Sequence, residues 1–196
     1  MMQLTRRQMI ATGLCAATLP GRAFALSLDT SQAMVTNLVT EVNAVIASGK
    51  SEAAMIADFA GLFDKYSDVP TIAVYCLGVD ARSASPAQLQ SYTAAFRHYI
   101  ASKYGRRFRE FVGGQITVEG AEAVKSWIEV ETTVLLRGRA PLRMDFHVSD
   151  RSGSHKFFNF IIEGVNMLLT ERAEIGAILD AEGRDIDRLS ARIAAV

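Results

Sequence analysis

Few residues in this chain could do chemistry, and they lie far apart. There are three histidines, His98, His147 and His155. Asp145 and His147 stand two apart in an alternating stretch, so on a strand both point to one side. They could form an acid–base pair, and an ordinary solvated strand face has the same spacing. Cys76 sits among Ile72, Val74 and Leu77, the setting of a buried thiol rather than of a nucleophile. No His-Glu-x-x-His, Cys-x-x-Cys or paired-histidine spacing suits zinc. No glycine-rich loop joins a strand to a helix, and no serine stands in a Gly-x-Ser-x-Gly elbow. Arg106, Arg107 and Arg109 either attract a phosphate or solvate the outer side of a helix.

The elements that would position these groups are helices, then strands, then helices. Met34, Val35, Leu38, Val42, Val45 and Ile46 recur at helical spacing over 30–48. A second helix carries Met55, Ile56, Phe59, Leu62, Phe63 and Tyr66, and ends before Pro70. A short apolar helix over 71–77 stops at Gly78. Ser85-Pro86-Ala87-Gln88 combines a cap, a first-turn proline and a capping box. It opens a helix of about 22 residues whose stripe runs Leu89, Tyr92, Phe96, Tyr99, Ile100, Tyr104, Phe108 and Phe111, broken only by Gly105. After Gly113-Gly114 the period changes to two. Ile116 and Val118, then Ile128 to Val134, then Leu142 to Val148 alternate with polar residues, as half-buried antiparallel strands do. The run 157–162 is apolar on both faces and predicts a strand covered by helices. Two more helices follow, one with Leu168, Leu169, Ile175, Ile178 and Leu179, the last with Ile186, Leu189 and Ile193. This order predicts an α+β domain, a curved antiparallel sheet of about four strands packed against helices. Wide apolar helix faces on such a sheet can enclose a cavity instead of filling it.

The chain has 196 residues, 21 basic and 21 acidic side chains, and 49% apolar residues. That is the composition of a packed globule, not of a disordered chain or a disulfide scaffold. No basic excess points to a nucleic-acid partner. Residues 1–25 read as an export signal. Arg6-Arg7 supply the charged start, an apolar run follows, Pro20-Gly21 breaks it, and Ala23-Phe24-Ala25 is a small-x-small cleavage site. The arginine pair after Thr5 is similar to a twin-arginine signal, and a Sec signal that happens to carry two arginines is the alternative. Leu14 is too large to precede a lipidated cysteine at Cys15. Cleavage removes three arginines and no acid, leaving a mature domain of 26–196 with net charge −3 and Cys76 as its one cysteine.

Four segments carry a resemblance to a known family. They are Phe63-Asp64-Lys65-Tyr66-Ser67-Asp68-Val69-Pro70-Thr71-Ile72-Ala73 with Leu77-Gly78, and Ser83-Ala84-Ser85-Pro86-Ala87-Gln88 with Tyr92, Phe96, Tyr99, Tyr104 and Gly105. The others are Pro141-Leu142-Arg143-Met144-Asp145-Phe146, and Ile162-Glu163-Gly164-Val165-Asn166-Met167-Leu168-Leu169-Thr170 running to Gly183. In order and spacing the mature chain resembles the MlaC family, the toluene-tolerance auxiliary component of ABC lipid transport. It departs from the family's usual residues at Asn159 (Asp is common), at Asn166 (Ser is common), at Val74-Tyr75 and at Val79-Asp80.

The resemblance implies a periplasmic, monomeric lipid carrier with no catalytic residues, no metal and no cofactor beyond its cargo. It implies a phospholipid, or another large lipid such as a hopanoid, held between sheet and helices. It also implies passage between an outer-membrane lipoprotein complex and an inner-membrane ABC transporter with its substrate-binding ring, with no nucleic-acid partner. The inward apolar positions expected to line the cavity are Val69, Ile72, Leu77, Phe96, Tyr99, Ile100, Tyr104, Phe108, Val134, Phe146, Phe160 and Val165. A competing class remains. Small NTF2-like isomerases and dehydratases also place helices over a curved sheet, and there Asp145 with His147, or Tyr99 with Asp145, would supply the acid–base set.

Overall fold

The computed structural model describes residues 26–196, and at 108 and 109 the backbone only. The expected export signal, with Arg6, Arg7 and Cys15, lies outside the described residues. Helix α1 (Leu28–Ala47) is capped by Ser27, and α2 (Glu52–Tyr66) by Ser51. Asp68 caps α3 (Val69–Leu77), with Pro70 in its first turn. The proline thus both closes α2 and opens α3, since its missing N–H is no loss in a first turn. Helix α4 (Pro86–Gly105) begins with the full reciprocal capping box of Ser85 and Gln88. It is followed by a 3-10 segment, Arg106–Phe111. The apolar stripe therefore spans two elements rather than one helix. Gly105 lies where they meet, and a Cβ there would stand 2.9 Å from Ile56 Cγ1 and 3.0 Å from Ile56 Cα. Only glycine permits so close an approach of α4 to α2.

The sheet is a five-stranded antiparallel meander. Its strands are β1 (Gln115–Val124), β2 (Trp127–Leu135), β3 (Leu142–Ser149), β4 (Lys156–Ile162) and β5 (Val165–Asn166). The fifth strand is only two residues long, which is why alternation in the sequence reveals about four. Register shifts between Val118 and Gly120 and between His147 and Val148 bulge the outer and inner strand pairs, and bulges bend a sheet. Asn166 then caps α5 (Met167–Ala181), and Asp185 caps α6 (Ile186–Ala194).

Val130, Val134, Met144, Phe146, Val148 and Phe157 join the buried faces of α1 to α6 in one core. The α2–α3 junction is tied directly to the sheet, because Asp68 N–H donates to the Phe157 carbonyl at 2.8 Å. This bond sets Phe63 and Ile72 beside β4. Cys76 is 2% exposed, and burial pushes its thiol up to about 12, so it is an inert core group. None of the described helices is long and apolar enough to cross a membrane.

Candidate functional site: an apolar cleft closed by a polar clasp

One cleft lies between β4 and the helices. Its walls are Phe63 from α2, Ile72 from α3, Ile100 and Tyr104 from α4, Phe157 to Phe160 from β4, and Met167, Leu168 and Glu171 from α5. Phenylalanines dominate, and their rings meet edge-on or tilted: Phe157 with Phe160 at 6.4 Å, and Tyr104 with Phe160 at 6.0 Å. The enclosed volume is about 30 Å³, space for a water or so. Larger grooves exist, such as one of about 460 Å³ between α1 and α2. That groove is spanned by the ion pairs Lys50–Asp58 and Lys65–Glu41, so it is a wet surface feature.

The twelve positions expected to line a cavity are distributed unequally. Ile72, Ile100, Tyr104 and Phe160 are in the cleft wall. Val69, Leu77, Phe96, Tyr99, Val134 and Phe146 are buried in the core beyond that wall. The side chain of Phe108 lies outside the described residues. Val165, expected on an inward face, is instead 54% exposed. It follows Glu163 and Gly164, both at positive φ, and this tight turn rotates the short edge strand so that Val165 points away from the core. Spacing in the sequence missed Phe63, Phe157, Met167 and Leu168. The signal for the last two was present in the capped run Asn166-Met167-Leu168, but a helix start does not show which side faces the sheet.

Two residues of the wall, Tyr104 and Glu171, also belong to a polar cluster. Glu171 is 4% exposed, and its carboxylate accepts from Lys103 Nζ at 2.8 and 3.0 Å and from the Tyr104 hydroxyl at 2.5 Å. Lys103 Nζ also donates to Glu174 at 2.5 Å, and the Tyr99 hydroxyl donates to the same carboxylate. The ammonium lies 5.4 Å from the Tyr99 ring centre and 5.7 Å from that of Tyr104, within cation–π range. Burial, with the carboxylates that accept from them, pushes both tyrosine hydroxyls far above their ordinary range. Burial pushes Glu174 up, but hydrogen bonds from Lys103 and Tyr99 outweigh it and hold the carboxyl below its ordinary value. These side chains clasp α4 to α5.

Asp145 and His147 point away from the core, as alternation predicts, but they are not solvated. They are only 7% and 9% exposed. Arg143 lies over Asp145, with Nε at 2.7 and 3.0 Å from its two oxygens, and Trp127 stacks on His147 at 5.4 Å. The imidazole has both nitrogens occupied. Asn159 Oδ1 accepts from Leu168 N–H at 3.0 Å, which turns its amide nitrogen toward His147 Nδ1 at 3.3 Å. Nδ1 is then the acceptor, and Nε2–H donates to Glu129 at 3.0 Å. The pair is a structural network in which His147 contacts Glu129 and Asn159, while Asp145 is held by Arg143.

The architecture is similar to that of a phospholipid-binding protein from Ralstonia solanacearum, solved in complex with a phospholipid. The two share 18% sequence identity with a TM-score of 0.69, over 84% of this chain and 98% of that one. This likeness concerns the fold. A family model described as MlaC protein matches residues 36–195, from the first helix through the last, and the chain belongs to that family.

Proposed function

We propose that this protein is a periplasmic lipid carrier, not an enzyme, which takes a phospholipid into the cleft between β4 and the helices. The observation that carries the reading is the cleft itself, with its aromatic and aliphatic walls, in a chain of the MlaC family. The Ralstonia solanacearum protein of the same fold binds a phospholipid. Burying a methylene stabilises by about 0.8 kcal/mol, so two sixteen-carbon chains cost on the order of 25 kcal/mol to leave in water. A carrier must cover both, and a volume of about 30 Å³ is far below the roughly 300–1,000 Å³ of ligand pockets. Loading therefore parts the cleft walls. The phenylalanine, methionine and leucine side chains of that wall can swing apart, while β4 stays paired with β3.

The carrier would work between an outer-membrane lipoprotein complex and an inner-membrane ABC transporter with its substrate-binding ring, after export directed by residues 1–25. An acid–base role for Asp145 and His147 lacks support, since both are committed to other partners. The test is organic extraction and native mass spectrometry of protein taken from its own periplasm without detergent. The expected result is one large lipid per chain. Protein that carries no lipid, and takes none from vesicles, overturns the reading.

A further inference from the structure

The outer face of the sheet and the wall of the cleft meet at one side chain, Asn159. It is 5% exposed, it stands in the cleft wall with Leu168, and its two amide atoms serve different neighbours. Oδ1 accepts from the Leu168 N–H at 3.0 Å, and the amide nitrogen donates to His147 Nδ1 at 3.3 Å. Leu168 is the second residue of α5, so its N–H has no acceptor within the helix. Asn166, the cap, serves Leu169 instead. The hydrogen bond from the start of α5 to β4 is thus made by the Asn159 amide, and the orientation of that amide is set jointly by Leu168 and His147.

Imidazole changes charge between about pH 5 and 8, and its charged form carries N–H on both nitrogens. The bond from Nε2 to Glu129 of β2 at 3.0 Å is the same in either form. Nδ1 is not, because once protonated it faces the donors of the Asn159 amide. When the amide turns over to accept from it, the amide nitrogen comes against the Leu168 N–H. Two donors, Nδ1–H and the Leu168 N–H, then compete for the single oxygen of Asn159. His147 is 9% exposed, so water does not readily replace the lost bond, and an unpaired buried donor is costly. The other groups around the ring do not relieve this. Trp127 of β2 and Phe158 of β4 offer aromatic rings at 5.4 and 5.8 Å. Asp145 of β3, Glu129 and Glu131 are bridged by Arg143 at 2.7, 3.7 and 2.8 Å, and Glu122 of β1 stands opposite Glu129. We propose that His147 and Asn159 form a proton-sensitive latch on the cleft, which holds the start of α5 to β4 while the imidazole is neutral and releases it on protonation. The consequence for cargo rests on the carrier reading above. Met167 and Leu168 lie in the wall with Phe158 and Phe160, so freeing the Leu168 N–H loosens that wall and speeds lipid exchange as pH falls.

The experiment follows amide hydrogen exchange of isotope-labelled protein by NMR, and lipid transfer from loaded protein to phosphatidylethanolamine–phosphatidylglycerol vesicles. Between about pH 7.5 and about pH 5.5 the Leu168 protection factor should fall about tenfold, the scale of one buried hydrogen bond, while core amides of β2 keep theirs. Lipid transfer should quicken several-fold over the same range. Asn159→Asp sets two acceptor oxygens between His147 and Leu168, so both donors are served at either pH, and protection and transfer should lose their pH dependence. His147→Asn keeps an acceptor for the Asn159 amide without a titrating ring, and should lose the dependence as well. Leu168 protection that is the same at both pH values, or that falls in Asn159→Asp as in the wild type, or lipid transfer that ignores pH, overturns the latch and leaves the carrier reading intact. A chain that takes up no lipid overturns the carrier reading, while Leu168 protection still decides the latch.

Discussion

The two halves of α4 look alike in sequence and do different work. Up to its middle, Tyr92 and Phe96 are 0% exposed, in contact with one another at 5.9 Å between ring centres and absorbed into the core. In the second half, Ile100 and Tyr104 belong to the cleft wall, while Tyr99 and Lys103 reach across to α5. The same 3-4 spacing of large apolar residues thus serves first as filling and then as lining. What changes is the partner. Where other helices cover the stripe it packs solid, and where it meets the phenylalanines of β4 a seam remains. An apolar helix face records how much surface must be hidden, not what hides it.

The sharpest way to break this comparison is to place a carboxylate in each half. Phe96→Asp loses a core ring, worth about 3–5 kcal/mol, and buries an unpaired charge costing several more. A domain of total stability around 5–15 kcal/mol should then be unfolded by circular dichroism at room temperature. Ile100→Asp faces a seam that water can enter, so it should stay folded with a lowered melting temperature and carry no lipid. If both variants unfold alike, the two halves are not different in kind.

A smaller effect is expected from the clasp. Lys103→Met strands the buried Glu171 carboxylate without its cation and should cost about 3 kcal/mol in urea unfolding. Adding Glu171→Gln should recover much of it. A cost near zero for Lys103→Met would mean that the clasp does not hold α5.

The smallest effect has the opposite sign. The Tyr92 hydroxyl is buried without a hydrogen-bond partner among the described residues, and burial pushes it far above its ordinary range. Removing an unsatisfied group relieves its desolvation cost, so Tyr92→Phe should stabilise by about 1 kcal/mol. A loss of stability would show that the hydroxyl has a partner in solution.

Much of this organisation was legible from residue order. The Ser85–Gln88 capping box, the stop at Gly78 and the alternation over 128–134 and 142–148 depend on neighbours within a few positions, and these elements form where such local rules place them. The two-residue strand β5 is too short to have a period, and so it went unread. Ile72, Ile100, Tyr104 and Phe160 were legible as inward residues, but that they share one cleft while Phe96 and Val134 do not was not.

The chain by itself determined the class of fold, the burial of Cys76 and the surplus of inward aromatic surface, because periodicity and caps are written within a few residues of one another. Only tertiary structure decided the rest. The Lys103–Glu171 pair joins positions 68 residues apart, and Asn159 orients His147 across a strand pair. Such contacts depend on where helix packing and sheet register bring distant segments. For charged groups the outcome is all or nothing, since burial without the partner costs more free energy than any local preference supplies.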